Sequence, residues 1–466
     1  MKSEKKRRLW LIPVVLLILF ASYTVFRAVS FKNLKEAPSL TNEQALELEK
    51  QLSVLYPERS QVLHPLSYNI QKPALDLTAE AAILIDVSNG TVLFEKNADE
   101  VIPPASMTKL FAMFVVEEEV RAGHLKYEDL IPLPPESWAC NMPPHSSLMF
   151  LGEGQKVTLE ELLLGLSICS GNDAAYALAY KVCGNMPDFV ARMNKVAWDL
   201  GLIHTSFVES SGYSELNTTT AREMALFCRI YLNRHPKSLE RFHSVKTFTY
   251  PKEKNLAPGD RPLNQDFSQG IPQHITMPVT QKNTNPLLGK LEGCDGLKTG
   301  YIDESGYNLS LTAVRGKTRY LSVTMKGKGS STAEGQANRV KDGTALMEWA
   351  FYTFADASVD FLKPYFVKVY GAAGQGVNLI PVYNEKTICV PFVSGTDAAE
   401  CASRINFKVH VPENLSGRIE CGTVFGKITA EIDGYTIAEI PLASDRSLKK
   451  ASFITALADF FVSQTL

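Results

Sequence analysis

Ser106 and Lys109 stand three residues apart in Ser106-Met107-Thr108-Lys109, after Pro103 and Pro104 and before the apolar residues Leu110, Phe111, Met113 and Phe114. A helix starting here sets both side chains on one face, one turn apart, with the amine in reach of the hydroxyl. A serine hydroxyl is a poor nucleophile until a base accepts its proton. A lysine can serve only where desolvation or neighbouring cations depress its pKa, as in an enclosed site. The spacing alone is common: Ser3 to Lys6 and Ser447 to Lys450 share it.

Two further groups supply what such a pair lacks. Ser170-Gly171-Asn172 follows a segment in which Leu159, Leu162, Leu163 and Leu166 repeat at helical spacing. There Ser170 can pass a proton to a leaving amine, and the Asn172 amide can orient Lys109 and a substrate carbonyl. A Ser-Gly-Asn turn after a helix is also ordinary punctuation, and Ser67 to Asn69 repeats the spacing. Lys298-Thr299-Gly300 precedes a strand-like run from Tyr307. Its lysine and hydroxyl can hold a substrate carboxylate, and Gly300 leaves room for a peptide beside the strand. Alternation turns Thr299 away from Lys298 and Gly300 unless a bulge or an edge position intervenes.

The three groups in this order resemble the penicillin-binding and serine β-lactamase superfamily, whose motifs run Ser-x-x-Lys, Ser-x-Asn, Lys-Thr-Gly. More narrowly, residues 104–109, 170–175 and 295–300 are similar to the low-molecular-weight D-alanyl-D-alanine carboxypeptidase family. Met193-Asn194, Leu200-Gly201-Leu202, Thr205 with Phe207, Gly212 and the 283–288 segment add to the likeness, which covers residues 74–355. The resemblance implies that Ser106 attacks the penultimate D-alanine carbonyl with Lys109 as base, while Ser170 and Asn172 assist proton transfer. It also implies a carboxylate site at Lys298, Thr299 and Gly300 and an oxyanion hole of the Ser106 and Tyr301 backbone N–H groups. Stem peptides of peptidoglycan ending in D-Ala-D-Ala are the implied substrates and β-lactams the implied inhibitors, with no cofactor and no metal. Position 301 is tyrosine where some members have histidine. A β-lactamase needs a water-activating carboxylate, for which Glu209 is the nearest acidic residue, and a noncatalytic wall-binding scaffold is the remaining alternative.

These residues must be positioned by an α+β fold. Residues 81–86 and 91–94, joined through Ser88, Asn89 and Gly90, have hairpin grammar, and residues 307–314 and 319–325 make a second pair. Helices are expected between Ser106 and Arg234, with a last one over 342–354. The simplest arrangement is an antiparallel sheet assembled from distant segments with helices between them. This catalytic domain is expected over residues 74–358. Short β-branched segments divided by Gly, Pro, Asp or Asn imply a small all-β domain over 359–447. The tail, 448–466, contains a helical stretch with Phe453, Ile454, Leu457, Phe460 and Phe461 toward one side. Packing of that side on its own domain is expected over contact with a membrane.

At the other end, Lys2, Lys5, Lys6, Arg7 and Arg8 precede an uncharged apolar run over residues 9–26, closed by Arg27. The run is near the lower limit for a bilayer span and lacks a clean small-x-small cleavage pattern. Residues 1–30 therefore read as an uncleaved anchor in the bacterial cytoplasmic membrane over a cleaved signal, with a polar spacer and one short helix over 31–73. Either way the rest is exported. The 466 residues carry 48 basic and 50 acidic side chains, a balance that argues against a nucleic-acid partner. Eight cysteines without a CxxC pair permit disulfides of unreadable connectivity, including one between Cys169 and Cys294. Oligomeric state is open.

Overall fold

The structure is a computed structural model that describes residues 2–55, 62–66, 68–70, 74–358, 363–382, 387–391, 400 and 403–465. Ser67 and Cys401 lie outside the described residues. The chain divides into two compact units. One comprises residues 60–356 with 391–396; the other joins residues 1–59 to 357–390 and 397–466.

In chain order the main elements are α1 (Lys2–Asn33), α2 (Asn42–Leu55), β1 (Ala81–Asp86), β2 (Thr91–Lys96), α3 (Thr108–Arg121), α4 (Leu159–Leu164), α5 (Asn172–Cys183), α6 (Met186–Asp199) and α7 (Ala221–Arg234). There follow β3 (Cys294–Ile302), β4 (Gly306–Arg315), β5 (Thr318–Gly327) and α8 (Thr332–Thr353). The α+β expectation holds. The sheet of the larger unit runs β2-β1-β5-β4-β3 in space, with the two-residue strand His64–Pro65 beside β2, so the first and last of its five long strands in sequence, β1 and β5, lie side by side. That pairing is antiparallel, Leu84 opposite Ser322. β3 is therefore left as an edge strand on which a peptide can lie.

The helices fill in because their apolar positions are used in full. Leu110, Phe111 and Met113 of α3 are completely buried, and Phe111 stacks on Phe227 of α7 with ring centroids 3.5 Å apart. Each such side chain contributes roughly 1.5–3 kcal/mol by leaving water. Leu159, Leu162, Leu163 and Leu166 are likewise fully buried, and Thr158 caps α4 in a reciprocal box with Glu161. The last helix of this unit begins ten residues before the expected 342. Ser331 caps it by accepting from the Glu334 N–H, and its polar first half gives little apolar signal. Deeper in the helix, the Asp342 carboxylate accepts from the Thr78 and Ala79 N–H groups and fixes the chain entering β1.

The second unit holds β6 (Tyr365–Tyr370), β7 (Gly376–Pro381), β8 (Asn406–His410), β9 (Asn414–Ser416), β10 (Val424–Ile432), β11 (Tyr435–Ser444) and α9 (Phe453–Ser463). Its six-stranded sheet runs β8-β10-β11-β7-β6-β9. One expectation fails here. Phe453 is 81% exposed and Phe460 59%, with Ile454, Leu457 and Phe461 also open, whereas Ala458, Asp459 and Val462 are buried. The small residues and the carboxylate of α9 face the protein, and its large apolar side chains do not.

Candidate active site

Ala105–Met107 forms a tight turn that leads directly into α3, so Ser106 sits on the turn and Lys109 in the first helical residues. Gly212, at φ +77°, lies under this turn: a Cβ there would fall 1.8 Å from the Ala105 carbonyl oxygen. Lys109 is fully buried while Ser106 is half-buried. The Lys109 Nζ is 2.9 Å from Ser106 Oγ, 2.8 Å from Asn172 Oδ1 and 2.5 Å from the Ser211 carbonyl oxygen. Burial pushes the amine down to about 7, against smaller opposing fields from Glu209 and Asp173.

Ser170 occupies the end of a wide helical turn, Gly165–Cys169, and adopts the left-handed conformation at φ 57°. The punctuation reading holds, and the same turn that stops the helix brings the Ser170 hydroxyl to Lys298. Asn172 opens α5, and its Nδ2 donates to Ser146 Oγ at 3.0 Å, which fixes its oxygen toward Lys109. Below it, Asp173 accepts from the N–H groups of Met149 and Leu151, binding the 146–151 segment to the start of α5.

Lys298, 1% exposed, donates to Ser170 Oγ at 2.9 Å and joins the second and third motifs. Its pKa is driven well below the ordinary lysine value by burial first, then by the neighbouring Lys109 and Arg339 charges. A bulge falls earlier in β3, between Cys294 and Gly296, and pairing through Lys298, Thr299 and Gly300 is regular. Thr299 accordingly points off the Lys298 face, and its hydroxyl donates to Thr284 Oγ1 at 2.8 Å. Gly300 lets β3 pass close to the nucleophile turn; a Cβ there would lie 2.5 Å from the Pro104 carbonyl and 3.2 Å from the Ser106 nitrogen. Tyr301 is 46% exposed, lies tilted against the Tyr307 ring with centroids 4.4 Å apart and donates to Asp303.

The fold thus forms two neighbouring hydrogen-bonded groups, Ser106–Lys109–Asn172 and Ser170–Lys298, the second extended by a 3.0 Å bond from Lys298 Nζ to the Thr299 carbonyl, with the Lys109 charge felt at Lys298 and Gly300 alongside the Ser106 turn. Sequence reasoning missed the Ser211 carbonyl, Ser146 and Arg339, whose buried guanidinium donates to the Gly300 carbonyl. A backbone acceptor has no residue signature, and Ser146 and Arg339 belong to no motif. Glu209 is committed to its own loop: it accepts from the Ser211 N–H and hydroxyl, the Gly212 N–H and the Asn217 amide. Cys169 and Cys294 are free thiols, and burial raises their pKa to about 12 and about 11.

A family model described as D-alanyl-D-alanine carboxypeptidase matches residues 68–329, over half of the chain. The chain is 30% identical over 380 residues to D-alanyl-D-alanine carboxypeptidase DacF of Bacillus subtilis, covering 81% of this chain and 88% of that protein. It is also 30% identical over 399 residues to D-alanyl-D-alanine carboxypeptidase DacC of Escherichia coli, covering 84% and 89%. Among solved structures, penicillin binding protein 5 from Haemophilus influenzae superposes with a TM-score of 0.67 at 27% identity, covering 82% of this chain and 100% of that one.

Proposed function

Because the chain belongs to the D-alanyl-D-alanine carboxypeptidase family, we propose that it removes the terminal D-alanine from peptidoglycan stem peptides through an acyl-enzyme on Ser106. Neutral Lys109 takes the Ser106 proton as the hydroxyl oxygen bonds to the penultimate D-alanine carbonyl carbon. The resulting oxyanion is held by the Ser106 and Tyr301 backbone N–H groups. Ser170, linked to Lys298 and next to Asn172, passes its hydroxyl proton to the departing D-alanine nitrogen and takes up the one held by Lys109, which leaves Lys109 neutral for the hydrolysis. Lys298 meets the terminal carboxylate, Thr299 adds a hydroxyl behind it, and Gly300 leaves the edge strand open to the peptide. Water then cleaves the ester, and β-lactams acylate the same oxygen.

The observation that carries this reading is the lysine–serine contact inside a buried site with a second lysine beside it. Residues 74–358 form the catalytic domain on this reading, with 359–447 a small β-rich domain and 448–466 a helical tail. The enzyme works outside the cytoplasmic membrane, where its substrate lies. The test is release of D-alanine from diacetyl-Lys-D-Ala-D-Ala by the exported chain beside Ser106→Ala. Equal release by both would defeat the proposal.

A further inference from the structure

α1 is long and apolar enough to cross a membrane from Ile12 onward, which is also what a disposable export signal looks like. Its far end, however, is built into the second unit. Arg27 makes a two-pronged ion pair with Asp459 of α9, at 2.6 and 2.7 Å, and the Asp459 side chain is completely buried. The same carboxylate accepts from the Gly371 N–H at 2.8 Å. Around this pair Tyr23 bonds to Thr455, Phe20 meets Phe461 edge-on, Ser30 donates to Gln375, and fully buried Phe31 packs on Tyr370 of β6.

Removing α1 would strand a buried carboxylate without its cation and uncover the Tyr370 ring, a change the folded unit tolerates poorly. The exposed apolar residues tell the other half. Ile12, Leu16, Leu17 and Phe26 of α1 are open, and so is the Phe453, Ile454, Leu457, Phe460, Phe461 side of α9 next to it. Residues 9–26, at about 1.5 Å per residue, reach roughly the thickness of a bilayer's hydrocarbon core. This sets Arg27 at the outer interface.

We propose that α1 is retained in the mature protein, as a membrane span and as a folded part of the second unit, with α9 clamped to its outer end by Arg27–Asp459. This goes beyond the catalytic reading and does not depend on it. The full chain is purified from membranes in detergent and its intact mass measured: a mass that includes residues 9–27 supports the proposal, and a main species lacking any of them overturns it. Hydrogen exchange then compares wild type, Arg27→Lys and Arg27→Gln. α9 amides should exchange about tenfold faster or more in Arg27→Gln and near the wild-type rate in Arg27→Lys; equal protection in all three overturns the clamp.

Discussion

The Lys109 amine meets Ser106 Oγ at 2.9 Å while its other two contacts, Asn172 Oδ1 and the Ser211 carbonyl, are pure acceptors. A neutral amine has two protons and one lone pair. The two acceptors claim the protons, so the lone pair is left facing the serine hydroxyl. Geometry and burial thus prepare the same state.

A pH profile follows from this. Only neutral Lys109 can act as base, and its pKa is about 7, so kcat/KM for D-alanine release should rise with pH through that region and level off above it. A profile flat between about pH 5.5 and 8.5 would remove Lys109 from the role.

Lys298→Ala should lower kcat/KM by about 100-fold or more, mostly through KM, because a buried cation that meets a carboxylate is lost. With a substrate ending in an amide the two enzymes should differ little. Equal losses on both substrates would assign Lys298 to holding Ser170 and not to the carboxylate.

Gly212→Ala should cost about 2 kcal/mol or more of stability, and activity with it. The left-handed φ and the 1.8 Å approach to Ala105 both oppose a side chain. Gly300→Ala should be milder in thermal melts but should depress β-lactam acylation, since its Cβ intrudes between β3 and the Ser106 turn.

Glu209→Gln separates two roles. As a loop organiser, Glu209 should cost about 1–3 kcal/mol of stability when replaced. Its charge raises the Lys109 pKa, so the acid limb of the rate profile should move to lower pH. The lifetime of the penicillin adduct on Ser106 should not lengthen; a strong lengthening would make Glu209 the water-activating carboxylate of a β-lactamase.

Residue types and their order were enough to single out Ser106, Lys109, Ser170, Asn172 and Lys298 as candidates, and hydrophobic periodicity was enough for the hairpins, the Leu159 helix and the α+β class. These features are local: each is fixed by side chains within a turn or a strand pair of one another. Tertiary structure alone decided that the Ser211 carbonyl takes a Lys109 proton, that Thr299 turns to Thr284, and which side of α9 the protein covers. An amphipathic helix has the same sequence pattern whether a sheet or a lipid meets its apolar side. The partner that settled the matter, Arg27, lies 432 residues from Asp459 along the chain, and only folding brings such charges together.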